Sequence, residues 1–168
     1  SRRGPAIPLG LTYLTSGGST GNPLKVIMDV RAASLNHANT HYYMAVAGLR
    51  IGETRSIRLH GDHISNEVIA GGRYWTLEGN RLSMSVHHLT EETAPLYIRA
   101  INEHQPVYIH AFASALSMLC HYVEKLGLKI SKNIRSVFCD SETLLPWQRS
   151  LILRCLACKI YNIYGHTE

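Results

Sequence analysis

The sequence predicts an α/β fold with a mainly parallel sheet. Short β-like runs alternate with helical stretches of roughly ten to fifteen residues, the signature of repeated βαβ units. Arg81 to His87 sets Leu82, Met84 and Val86 against Ser83, Ser85 and His87, the two-residue period of a half-buried strand. With 168 residues, the chain is long enough for one core or one large subdomain and too short for two independent domains.

The elements follow in order. Leu9 to Thr15 reads as a strand, Ser16 to Asn22 as a loop, and Val26 to Asp29 as a hairpin partner. Ser34 to Gly48 is helical, with Gly48 as its stop. Ser56 to Leu59 is a short strand, and Asp62 to Asn80 is irregular or partly helical. Thr90 can cap a helix over Glu91 to Glu103, placing two acids at the positive end of its dipole. Pro106 breaks that helix before a strand at Val107 to His110. A helix over Ala113 to Leu126 stops at Gly127, and a strand over Ile134 to Cys139 follows. Leu145 to Cys158 is a helix and Lys159 to Tyr164 the last strand. Ligands of such sheets sit beyond the carboxyl ends of the strands.

Composition narrows the class. At 45% hydrophobic and 17% charged, the chain reads as an ordinary globular protein. The net charge is +5, but the seventeen Lys and Arg never run longer than two, so there is no basic stripe for nucleic acid. No segment has the apolar length of a membrane span, and no signal peptide is visible. Cys120, Cys139, Cys155 and Cys158 lie in apolar segments and read as reduced, buried thiols of a cytosolic protein. The chain opens on Ser1 and closes on Glu168 just past a strand-like run, and it is expected to be a piece cut from a longer protein.

Thr15 to Lys25 is the most informative segment. Thr15 to Gly21 holds three glycines and four hydroxyls in seven residues, and Lys25 closes the stretch. Glycines let the backbone turn its N–H groups toward an anion, hydroxyls add donors, and the lysine adds charge. The glycines at 17, 18 and 21 fit neither a Walker A loop nor the G-x-G-x-x-G dinucleotide pattern. On composition alone a phosphate site and a flexible surface loop stand equal.

Read as a unit, Thr-Ser-Gly-Gly-Ser-Thr-Gly-Asn-Pro-Leu-Lys resembles the phosphate-binding signature of the acyl-adenylate-forming superfamily, the acyl-CoA synthetases and their relatives. Tyr164-Gly165-His166-Thr167-Glu168 resembles the superfamily's second hallmark, a Tyr-Gly-x-Thr-Glu turn. Asn80 to Ser85, Phe112 to Leu116 and Asp140 to Gln148 are similar to the phenylacetate–CoA ligase group, above all its capsular polysaccharide branch. Two departures stand out: Ala113 replaces an expected Pro, and Leu24 separates Pro23 from Lys25.

The resemblance implies ATP-dependent activation of a small carboxylic acid as its adenylate, with transfer to CoA as the second step. It implies that Ser16, Gly17, Gly18, Ser19, Thr20 and Gly21 wrap the β- and γ-phosphates, with Lys25 adding charge. Thr167 would donate to the α-phosphate, Glu168 would help hold Mg²⁺, and Tyr164 and Gly165 would lie at the adenine. Ser141, Glu142 and Thr143 match a further nucleotide-facing turn, although the same residues could simply cap a helix. A ribose-binding acid and a lid domain with a catalytic lysine would lie beyond Glu168. An acceptor other than CoA in envelope polysaccharide synthesis, or a non-catalytic nucleotide-binding module, are the alternatives.

Other constellations read as structural. His37 and His41 share a helix face without a third ligand. Cys155 and Cys158 have CxxC spacing at the end of a helix, whereas a thioredoxin-type motif opens one. Ser114 lacks the G-x-S-x-G frame of a hydrolase nucleophile. His87-His88 ends a strand near the expected cleft and is unassigned.

Overall fold

A computed structural model describes residues 11–15, 25–50 and 52–163. The chain divides after Arg50 into two compact units.

In the first unit, β1 (Leu11–Thr15) and β2 (Lys25–Asp29) pair antiparallel, with Thr15 opposite Lys25, so residues 16–24 join the two strands of a hairpin. Helix α1 (Val30–Val46) follows at once. It begins four residues before the expected Ser34, because the Asp29 carboxylate accepts the Ala32 N–H at 2.7 Å and so caps the first turn. Gly48, at φ +76°, lies just past its end.

The second unit is a six-stranded sheet. Its strands are β3 (Ser56–His60), β4 (Trp75–Glu78), β5 (Arg81–Ser85), β6 (Tyr108–Phe112), β7 (Ser136–Asp140) and β8 (Lys159–Asn162), in the spatial order β4-β5-β3-β6-β7-β8. All neighbours are parallel except β4, which pairs antiparallel with β5 at one edge. The α/β class is therefore as the sequence predicts.

Between the strands lie the short α2 (Asn66–Ala70), α3 (Ala94–His104), α4 (Ala113–Lys125) and α5 (Pro146–Leu156). Strand alternation gives the sheet two unlike faces. Ile57, Leu59, Leu82, Met84, Ile109, Ala111, Val137 and Cys139 project to one face and join a single core with Ile101, Leu116, Leu119 and Ile152 of α3, α4 and α5. The other face carries Ser83, Arg58, His110, Phe138 and Tyr161 in one row across the strands.

Two expectations are corrected. Trp75–Glu78, inside the stretch read as irregular, is a strand. Glu78 pairs with Arg81 across a two-residue turn in which Gly79 supplies φ +57°, the glycine-first arrangement of a tight hairpin. Likewise, α3 begins at Ala94, with Thr93 and not Thr90 at its N-cap, so Glu91 and Glu92 lie outside its first turn. Pro95 is the reason: it has no N–H to give Glu91, so a helix can hold it only in its first turn.

Candidate functional site

The carboxyl ends of four neighbouring parallel strands present Ser85 (β5), His60 (β3), Phe112 (β6) and Asp140 (β7). Ser85 is opposite His60 and Phe112 opposite Asp140, so these last strand residues form one row on the face opposite Leu59 and Met84. His110, two residues before Phe112, lies one row behind. The sheet thereby gathers two imidazoles and a carboxylate. His110 Nε2 is 2.6 Å from Asp140 Oδ2, and His60 Nε2 is 3.7 Å from Asp140 Oδ1. The His60 ring packs on Phe112 at 4.3 Å and meets His110 edge-on at 4.8 Å.

His60 is only 5% exposed, whereas His110 and Asp140 keep about a fifth of their side chains open. A gap of 3.7 Å is too long for a hydrogen bond. His60 Nε2 and Asp140 Oδ1 are therefore buried polar atoms without a hydrogen-bond partner, as is Ser85 Oγ. Burial, reinforced by His110, holds the His60 imidazole down at about 4. Burial alone would raise the Asp140 carboxyl, but the hydrogen bond and charge of His110 outweigh it and hold it below its ordinary value. At neutral pH the group is thus a neutral buried imidazole facing an ionised carboxylate.

A second contact ties the turn after β7 to α4. Glu142 accepts from the Ser114 hydroxyl at 2.7 Å and from the Ser114 N–H at 3.3 Å. This places a carboxylate at the positive end of a helix that has no side-chain cap of its own. Ser141 turns the chain at φ +62°. The capping alternative for Ser141–Thr143 fails: the N-cap of α5 is Leu145, whose N–H donates to Gln148 Oε1 at 2.9 Å. Ala113 opens α4 and is fully buried where a proline was expected.

Of the residues proposed from sequence, Ser141, Glu142 and Thr143 lie beside Asp140 at this end of the sheet, and Lys25 starts β2. Ser16, Gly17, Gly18, Ser19, Thr20, Gly21, Tyr164, Gly165, Thr167 and Glu168 lie outside the described residues. Sequence reasoning passed over His60, His110 and Asp140. Their signal was positional: each is a polar residue at or near the carboxyl end of a strand, on the face opposite the apolar positions.

His37 and His41 are exposed on α1. His87 and His88 form a 3₁₀ turn, where His88 stacks on Tyr74. All four cysteines are free, and burial pushes the Cys139 and Cys158 thiols up to about 12 and 11. No described helix is long and apolar enough to cross a membrane.

No family model matches the chain. It is 23% identical over 160 residues to Protein CapK of Staphylococcus aureus, covering 94% of this chain and 35% of that protein. It thus spans about a third of the length of the curated relative it matches. Among solved structures, VinN superposes with a TM-score of 0.60 at 16% identity, covering all of this chain and 40% of that one. The 2-hydroxyisobutyryl-CoA ligase in complex with 2-HIB-AMP and CoA gives 0.59 at 11% identity, covering 96% of this chain and 37% of that one. A long-chain-fatty-acid-CoA ligase from Archaeoglobus fulgidus gives 0.59 at 16%, covering 93% and 31% respectively. The chain therefore has the α/β fold of the amino-terminal domain of the adenylate-forming enzymes, the superfamily its motifs resemble.

Proposed function

We propose that the protein carrying this chain activates a carboxylic acid with ATP, forming an acyl adenylate that is passed on to CoA. One observation carries the reading. Ser141–Thr143, a turn resembling one of the superfamily's nucleotide-facing turns, follows β7 at the carboxyl end of the parallel sheet.

In this reaction a carboxylate oxygen attacks the α-phosphorus of ATP, the bond to pyrophosphate breaks, and acyl-AMP forms. Most of the barrier is charge crowding, so the protein's task is positioning and neutralisation. Ser16–Gly21 would give N–H and hydroxyl donors to the β- and γ-phosphates, with Lys25 adding charge, and Thr167 would serve the α-phosphate. Glu168 offers the hard oxygen that Mg²⁺ takes alongside phosphate and water. Glu142 is already engaged by Ser114, so its part is to fix the turn against α4.

The test is pyrophosphate–ATP exchange by the intact protein across a panel of carboxylic acids, with and without CoA. Acid-dependent exchange supports adenylation. ATP binding without exchange under any acid would make the protein a non-catalytic nucleotide-binding module. The similarity to CapK favours a second reading, transfer to an acceptor other than CoA in envelope polysaccharide synthesis. In that case exchange would be retained and no acyl-CoA would form.

A further inference from the structure

The geometry points to a binding site for one divalent transition-metal ion of the zinc class, held by His60, His110 and Asp140 at the carboxyl end of the sheet. One ligand atom from each residue lies within 4.8 Å of the others, before any ion draws them in. A tetrahedral zinc site with bonds of ~2.0–2.1 Å needs its ligand atoms ~3.3 Å apart. The His60–Asp140 gap of 3.7 Å is already close to that spacing, and the 2.6 Å His110–Asp140 contact would open slightly. Side-chain torsions can supply both changes, because the strands fix only the Cα positions.

A second, independent feature is the state of the polar atoms. His60 is 5% exposed, and its Nε2 is buried, faces Asp140 and has no hydrogen-bond partner; Asp140 Oδ1 is in the same condition. Burying polar groups unpaired is costly, and a cation between them would satisfy both at once. Each imidazole would ligate as its neutral tautomer, with the remaining proton on the other ring nitrogen. Two imidazoles with one carboxylate suit zinc, cobalt, nickel or ferrous iron, not magnesium or calcium. Three protein ligands leave a fourth position open, and the partial exposure of His110 and Asp140 puts it toward the mouth of the sheet. This ion is separate from the magnesium that would accompany ATP, and the inference does not depend on the adenylation reading.

Among the described residues, a polar depression beside the sheet offers no comparable site. It is lined by Arg58, Asp62, Glu78 and Arg81 among others, and these charges pair with one another, Arg58 with Asp62 and Arg81 with Glu78.

The experiment loads the intact, chelator-treated protein with Co²⁺ and then Zn²⁺. The expected result is one equivalent bound per chain, visible d–d absorption from cobalt, and no displacement by a large excess of Mg²⁺. Asp140→Asn and His110→Gln should each weaken binding by more than the about 10–100-fold that loss of an outer-shell partner costs. His37→Gln should leave affinity unchanged. X-ray absorption on the zinc-loaded wild-type protein gives a reading that needs no variant to fold, and it should show two imidazoles and an oxygen donor. No bound equivalent, wild-type affinity in folded Asp140→Asn and His110→Gln, or a sulfur shell placing zinc on cysteines would each overturn the assignment.

Discussion

In sequence Thr20 stands among Gly17, Gly18 and Gly21; glycines leave room that a Cβ atom would take from an anion, and a hydroxyl can donate to a phosphate oxygen. If the loop holds ATP, Thr20→Ala removes one charge-assisted hydrogen bond, worth about 1.5–3 kcal/mol. Steady-state kinetics of the intact protein should then show a roughly ten- to hundredfold lower kcat/KM for ATP. The KM for the acid should move far less. Gly21→Val should cost more, because a branched side chain both restricts the backbone and obstructs the phosphate. Kinetics unchanged in both variants would return residues 16–21 to the role of a surface connection. Tyr97 tests the described core. Its fully buried hydroxyl donates to the Ser85 carbonyl at 2.6 Å, and burial pushes the phenol up so that it stays a donor. Tyr97→Phe leaves that carbonyl without its partner, so a loss of about 1–3 kcal/mol is expected. Urea unfolding should read it as a lower midpoint at unchanged slope.

Elements differ in how firmly they are held. Helix α1 buries only Met44 among its side chains, while Val30, Leu35, Tyr42, Tyr43 and Val46 stand exposed. By contrast, α4 buries seven residues against the sheet, among them Leu116 and Leu119. Helices take most of their stability from packing, so amides of α1 should exchange with solvent faster than those of α4. Hydrogen exchange read by mass spectrometry checks this, and equal protection would mean that α1 has a partner face. The same contrast explains what the sequence disclosed. Strands such as Arg81–Ser85 were legible because apolar and polar residues alternate along them, although Ser83 and Ser85 are buried as fully as Leu82 and Met84. Trp75–Glu78 escaped because it is a four-residue edge strand, although Gly79-Asn80 before Arg81 carried its hairpin signal. The start of α3 is ambiguous in sequence because Glu91 and Glu92 resemble a helix opening, whereas Pro95 fits a helix only in its first turn. In the candidate site, the Ser141–Thr143 turn was visible through family likeness. The His60, His110 and Asp140 group was not, because its members come from three strands and meet only when the strand order is known.

At the scale of the whole molecule, the chain spans 35% of CapK and between 31% and 40% of the solved structures compared above. If the protein is an adenylate-forming enzyme as proposed, the reaction draws on parts of such an enzyme that this chain, at about a third of the relatives' length, does not match. The 168 residues alone should therefore show little acid-dependent pyrophosphate exchange. Robust exchange by this chain in isolation would show that those parts are dispensable. The two-faced sheet also bears on how such a chain can change over evolutionary time. Inserting or deleting a single residue inside Tyr108–Phe112 would send His110 into the helix-covered core and bring Ile109 or Ala111 out in its place. The segment between α4 and β7 can lengthen by several residues at small entropic cost. Related chains should therefore vary in length at their connections and keep these strands in frame, so that the reading frame of the sheet outlasts the identity of its side chains.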